Sequence, residues 1–483
     1  MSAPLTHTYR SGEVHRFDAQ GQDFIYLVSA GAIFALDGAV GEVLSMLDGA
    51  EMAHGDLITA LTNGGYSPAD AEDLVRELRL ARVIVSDQTV AAPAPAKPEG
   101  DYPLQALVLN ITNQCNLACT YCYEFGADKI ATPNGKPKYM TIDTAKASVD
   151  LLLAQSGGRP AVHITFFGGE TLMNFPLLRQ VVAYATDQAT AQGRTITFSL
   201  TTNATLLTDP IIEFLAEQQI GVTVSIDGPK EMQDKRRVYK SGKGSYDVIE
   251  PKLRKLIARH RTRAITARVT LSKGVTDVVS IFRHLREDIG FHEVGFAPVT
   301  ESGEQAYALG EEGMVTVLEQ FHQLADEWLA YALKGRMHGF SNVSETIGEL
   351  VQGTNKSHPC GAGLGLLGVS PSGDLSPCHR FTDADSHVMG HVSSGIDRKA
   401  QGEFLTKGHV GAKYACQSCW ARPLCAGGCH HEAFVRYGDT GHANLHYCDW
   451  IREWTDTCLK IQGTLAVQNP EFLEKFAERK GLS

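Results

Sequence analysis

Three thiols stand close together in the segment NQCNLACTYCYEFG: Cys115, Cys119 and Cys122. Three thiolates within eight residues suit one iron-sulfur cluster. A 4Fe-4S cube takes four ligands, so three cysteines leave one iron free to bind another molecule. Seven more cysteines follow far downstream. Cys360 is followed after twelve residues by Gly373 and after four more by Cys378; then come Cys416, Cys419, Cys425 and Cys429, and Cys448 after a further eighteen. Cys416 and Cys419 alone would also fit a zinc ribbon, and soft thiolates in this number suit clusters and zinc alike. Cys458 lies outside the spacing and reads as a buried apolar thiol. His430, His431, His442 and His446 read as solvated or cluster-adjacent side chains rather than ligands.

These residues need elements to position them. From about residue 104 the chain alternates strand and helix: LQALVLNIT, AVHITFFGG, TITFSLTT, GVTVSID, ITARVTL and EVGFAPV, with helix-period segments between. Such runs predict parallel strands buried on both faces and wound by right-handed crossovers, an α/β fold with an open or partial (β/α)6 barrel. The first three cysteines directly follow the first barrel strand, where βα loops build active sites. Past about residue 350 the rhythm fails, Gly and Cys become dense, and metal replaces hydrophobic burial as organiser.

Before the barrel, FIYLVSAGAIFAL (24–36) predicts a hairpin around Ser29, Ala30 and Gly31. Asp37 caps a helix reaching Leu47, and a second helix starts at Ser67 with Pro68 in its first position, ahead of a strand near Arg82 to Val85. The AAPAPAKP stretch makes 88–102 a stiff linker. The boundaries expected are 1–87 for a small N-terminal domain, 103–345 for the barrel, 346–465 for the cysteine-rich domain and 466–483 for a C-terminal tail.

Lys plus Arg total 44 against 55 Asp plus Glu, a net charge of -11, the wrong sign for a general nucleic-acid or anionic-membrane binder. The N-terminus has no apolar signal region and no stretch reaches the length of a membrane span, so a cytoplasmic location is expected. There, eleven cysteines mean metal ligation or redox chemistry rather than disulfides.

The Cys115, Cys119, Cys122 motif resembles that of radical S-adenosylmethionine (SAM) enzymes. The resemblance implies that the open iron chelates the amino and carboxylate groups of SAM, and that an electron from the cluster cleaves the sulfonium to a 5′-deoxyadenosyl radical. Phe167, Gly168, Gly169, Glu170 and Thr171 resemble the family's glycine-rich segment that meets the SAM amino group, and Tyr121 sits where the family places an aromatic against adenine. By the same resemblance Asn203, Ser225, Asp227, and Arg237 or Arg268 hold ribose and carboxylate.

The seven downstream cysteines match the SPASM extension of radical SAM peptide maturases. This implies two auxiliary 4Fe-4S clusters, three in all. Cys416, Cys419, Cys425 and Cys448 would hold the distal one, and Cys360, Cys378 and Cys429 the proximal one. Some relatives supply a fourth proximal ligand where this chain has Leu366. Sulfatase-maturing relatives place an Asp base where this chain has His379. No catalytic base is assigned by sequence. The N-terminal domain resembles the winged-helix-like peptide-recognition domains fused to such maturases. The whole layout, with YCYEFGADKI and SPCHRF, is similar to the maturases of quinohemoprotein amine dehydrogenase. They join Cys sulfur to the methylene carbon of Asp or Glu in the dehydrogenase's small subunit, drawing electrons from a donor such as flavodoxin or ferredoxin. Carbon-carbon crosslinking of a ribosomal peptide, or sulfatase-type oxidation of Cys or Ser, are the alternative activities.

Overall fold

A computed structural model describes residues 7–87, 102–132, 135–303 and 305–481. Nearly all of the expected linker (88–102) lies outside the described residues. The N-terminal part runs β1 (Thr8–Ser11), β2 (Val14–Ala19), β3 (Gln22–Leu27), β4 (Ala32–Ala35), α1 (Gly38–Met46), β5 (Met52–Ala53), α2 (His54–Asn63), α3 (Pro68–Leu80) and β6 (Ile84–Ser86). Its caps follow from sequence. Asp37 accepts from the Val40 amide, and Ser67 accepts from the Asp70 amide with Pro68 behind it. The β3–β4 hairpin forms at the expected place, whereas β1, β2, β5 and α2 carry too little periodicity to have been expected.

Sidedness in β3 decides how this part sits. Ile25 joins a local core with Tyr9, Leu44, Leu57 and Val75, while Phe24 and Tyr26 on the opposite face belong to the core of the main body. The alternation of a strand therefore places the sheet β2-β3-β4 between two cores.

The barrel follows the expected rhythm: β7 (Ala106–Asn110), α4 (Ile142–Gln155), β8 (Ala161–Phe167), α5 (Phe175–Ala191), β9 (Thr195–Thr202), α6 (Asp209–Glu217), β10 (Gly221–Ser225), α7 (Lys230–Arg236), α8 (Tyr246–Arg259), β11 (Ile265–Leu271), α9 (Val278–Arg283) and β12 (Glu293–Pro298). All six strands are parallel, in the order β12-β11-β10-β9-β8-β7. They are not buried equally on both faces. In β8, Val162, Ile164 and Phe166 are buried against helices, while His163, Thr165 and Phe167 are half-buried. His163 hydrogen-bonds Thr197 and Ser199 of β9, each at 2.8 Å. The polar inner face exists because the barrel is open and its lumen is a cavity, where hydroxyls find partners that a dry core would deny.

Two further helices follow, α10 (Gly310–Ala332) packed on α9 and α11 (Ser341–Val351) packed on β12. The cysteine-rich part adds β13 (Leu366–Val369), β14 (Leu375–Ser376), α12 (Arg398–Gly408), α13 (Arg422–Cys425), α14 (His430–Tyr437), α15 (Cys448–Gln468) and α16 (Pro470–Lys480). β13 pairs parallel with β7, Leu366 opposite Ala106 and Val369 opposite Leu109, and so extends the barrel sheet. The segment expected as a tail is helical: Phe472 and Phe476 of α16 pack edge-on against Trp328. Among the described residues, no helix is long and apolar enough to cross a membrane.

His338, just before α11, is 5 % exposed and stacks on Phe282 with ring centroids 4.6 Å apart. Burial pushes its pKa down to about 4 from 6.5. The unfolded chain therefore binds this proton first. The stability is fully present above about pH 6.5 and is lost as pH falls through about 4, roughly 3 kcal/mol in all. Urea midpoints measured at pH 7.5, 5.5 and 4.5 should fall less steeply in His338→Phe than in the parent protein.

Candidate functional site

The lumen of the barrel forms a cavity of about 560 Å³, within the range of small-molecule sites. Cys115, Cys119 and Cys122 line it on the loop that follows β7, and Tyr121, Gly168, Gly169, Glu170, Asn203, Ser225, Arg237 and Arg268 line it as well. Thr171 and Asp227 stand behind the wall, at 1 % and 0 % exposure.

Backbone crowding explains the glycine pair. A Cβ at Gly168, whose φ is +134°, would meet the Thr112 carbonyl at 2.3 Å, and one at Gly169 would meet the Gln114 carbonyl at 2.4 Å. Their absence lets the two loops join directly, with the Gly169 amide donating to Thr112 and the Glu170 amide to Gln114. The close approach that these glycines permit is thus to the cysteine loop itself. Glu170 continues the same work. Its carboxylate accepts from the Leu172 amide, the Thr202 hydroxyl and the Asn203 amide at 3.0, 2.6 and 2.7 Å. Three protein donors already engage the group expected to meet an ammonium. Asn203 in turn donates to Asn116 at 3.0 Å, and the Thr171 hydroxyl donates to the Thr201 carbonyl at 2.7 Å.

A buried triad forms the next stretch of wall. Asp227 accepts from the Tyr121 hydroxyl and the Thr270 amide and pairs with Arg237 at 3.1 Å. The Arg237 guanidinium lies 5.4 Å from the Tyr121 ring centroid. Burial works against that guanidinium's charge, and Asp227 more than offsets it, so its pKa is raised.

Burial pushes the Cys115 and Cys122 thiols up to about 12 and raises Cys119 as well. Thiols so placed are neutral until a metal ionises them. The downstream cysteines fall into two neighbourhoods. After burial, Cys429 raises the Cys360 and Cys378 thiols, and Cys419 raises the Cys416, Cys425 and Cys448 thiols. Among the described residues, no three His, Cys, Asp or Glu side chains converge on a single metal ion. A four-iron cube does not require that convergence, because each thiolate holds a different iron. Cys458 is fully buried in the main core.

Sequence reasoning missed what joins the two halves. His379 and Arg380, directly after Cys378, reach the same cavity. Arg380 lies 4.8 Å from the Tyr123 ring centroid and donates to Thr300 at 2.6 Å, and His379 packs on Phe167 at 4.5 Å. Burial, then Glu124, raises the pKa of Tyr123, with Cys122 and Cys378 adding to it. Adjacency to Cys122 and Cys378 was the available signal. Glu345 of α11, another cavity residue, carried none.

Residues 109–285 match the family model described as the Radical SAM superfamily. The chain has the radical SAM fold. The solved structure "Native anSMEcpe with bound AdoMet" superposes with a TM-score of 0.63 at 19 % identity, covering 78 % of this chain and 100 % of that one. Streptococcus suis SuiB bound to its precursor peptide SuiA gives 0.50 at 13 % identity, over 91 % and 99 %. In sequence, a serine-type anaerobic sulfatase-maturating enzyme of Bacteroides thetaiotaomicron is 29 % identical over 369 residues, 71 % of this chain and 86 % of the relative.

Removing the acid of the triad tests its weight. Asp227→Ala leaves Arg237 buried and unpaired, which should cost about 3–5 kcal/mol, read as a lower denaturation midpoint. The double variant Asp227→Ala, Arg237→Met should recover part of the loss, and full additivity would show that the pair is not coupled.

Proposed function

We propose that this chain is a radical SAM peptide maturase that modifies a peptide or small protein subunit. One observation carries the reading: a single cavity is lined by the Cys115, Cys119 and Cys122 motif and by the two residues that follow Cys378. The three motif thiols suit a 4Fe-4S cluster with an open iron for SAM, and the two downstream sets suit two auxiliary clusters. When bound, that cofactor pair supplies a 5′-deoxyadenosyl radical, able to take hydrogen from a side-chain carbon beyond the reach of acid-base chemistry. The chain's own residues bind and orient. Tyr121, Asn203, Ser225, Arg237 and Arg268 offer the cavity an aromatic face, amide, hydroxyl and cations for SAM, with Asp227 fixing Arg237 and Tyr121 in place. Gly168, Gly169, Glu170 and Thr171 keep the cysteine loop in register.

The reaction proposed is a thioether from Cys sulfur to the methylene carbon of Asp or Glu, with the small subunit of quinohemoprotein amine dehydrogenase as substrate and flavodoxin or ferredoxin as electron donor. Leu366 supports it. That residue sits in β13 and cannot ligate, so the proximal set offers three thiols and leaves an iron for the substrate's thiolate. The second reading is sulfatase-type oxidation of Cys or Ser, favoured by the 29 % identity to the Bacteroides enzyme. His379 in place of an Asp weighs against it.

Anaerobically purified protein should hold roughly twelve irons, and Cys115→Ala, Cys119→Ala, Cys122→Ala together should keep about two thirds of them while abolishing SAM cleavage. Mass spectrometry of the coexpressed subunit separates the two reactions. A thioether consumes an alkylatable thiol and keeps its sulfur; the sulfatase-type product is a carbonyl that a hydrazine captures. Hydrazine capture with no sulfur-retaining crosslink sinks the thioether reading.

The N-terminal part is proposed as the peptide-recognition domain, taking a substrate strand at the edge β4, where Phe34 is 46 % exposed. Phe34→Asp should weaken peptide binding about tenfold or more, as loss of one apolar anchor does, and leave substrate-free SAM cleavage unchanged. Unchanged affinity removes that role.

A further inference from the structure

The two downstream thiol sets come closest in sequence at Cys425 and Cys429, joined by Ala426, Gly427 and Gly428. One cation lies against this joint. Lys413 is 3 % exposed, and its ammonium donates to the Ala426 carbonyl at 3.0 Å. Its aliphatic stem crosses Gly427 so closely that a Cβ there would stand 2.5 Å from the lysine Cδ. The loop can lie over the side chain only because Gly427, at φ +83°, has none of its own. Burial alone lowers the lysine's pKa, and the opposing influences are four thiols, two from each set: Cys416 and Cys425, Cys360 and Cys429. Burial prevails, so the pKa is lowered on balance, and negative charge in either set would stabilise the ammonium where it lies.

We infer that Lys413 is a shared electrostatic element of the two auxiliary cluster sites, raising the reduction potentials of both clusters together. The inference rests on the proposal that the two thiol sets hold clusters. Each cluster gains one negative charge when it takes up an electron, and a fixed cation nearby stabilises that state. Because the lysine lies against the joint between the two sets, it raises the two potentials in the same direction and alters their difference little.

The test uses full-length protein with Cys115, Cys119 and Cys122 changed to Ala, so that the auxiliary sites alone are read, in EPR-monitored redox titrations. Lys413→Met and Lys413→Gln should move both midpoint potentials to more negative values. The Gln amide can still donate to the Ala426 carbonyl, so a shift in Lys413→Gln belongs to charge. Lys413→Arg should stay near the parent values. Iron content separates the two levels of the argument. If the parent protein lacks two auxiliary clusters, the cluster assignment itself fails. If the clusters are present and the Gln and Met potentials do not move, or only one moves, Lys413 is not a shared element. Loss of auxiliary iron in the Met, Gln and Arg variants alike overturns the inference too, since the lysine is then a packing residue. Loss in the two neutral variants with normal Arg potentials supports it, because charge is what the sites require.

Discussion

Four residues of strand pairing, Leu366–Val369 on β7, join the cysteine-rich part of the chain to the barrel sheet. The segment beyond β14 then folds back across β13, where a Cβ at Gly368 would meet the Cys378 carbonyl at 2.7 Å. That close approach is open only to glycine. Through it Cys378 is placed beside the sheet, and His379 and Arg380 enter the same cavity as the Cys115 loop. Were β13 to slip by one residue, the side-chain alternation would turn this segment away from the lumen.

The cavity carries many polar side chains for a related reason. A closed barrel fills its lumen with branched aliphatic residues, whereas this open one carries Thr, Ser and His on its inner face and leaves the room they line for a ligand. Charges in such a place must be paired or hydrogen-bonded. Asp227 with Arg237 and Tyr121, and Glu170 with its three donors, meet that demand and fix the loops at the same time. Electrostatic satisfaction and positioning of the thiols are one design. The N-terminal part is tied to the far side of the same body: His15 stacks on Trp420 with centroids 3.7 Å apart and bonds Asp456 at 2.7 Å. Trp420 directly follows Cys419, so this contact reaches the edge of the distal thiol set.

Much of this was legible in the sequence. Strands rich in Val, Ile and Thr announced all six barrel units, because burial against helices imposes that composition. Asp37 and Ser67 announced their helices through capping that needs no tertiary context. The cysteines were legible because ligand spacing is local within 115–122 and 416–429. The short strands β1 and β5 were not, because a few residues carry no measurable period. Nor was the helical nature of 470–480, whose phenylalanines find their reason only in Trp328, far away in the chain.

By itself, then, the sequence determined the donor chemistry and the strand–helix order, which depend on residue types and on spacings of a few positions. Only the tertiary structure decided which thiols are neighbours and what faces the lumen. Cys429 stands four residues from Cys425 yet groups with Cys360 and Cys378. Glu170, which the family resemblance offers to a ligand's amino group, also accepts from the Leu172, Thr202 and Asn203 donors. Both outcomes follow from contacts between segments distant in the chain, whose geometry is set by β-pairing register and by the few positions where a missing Cβ lets two backbones meet.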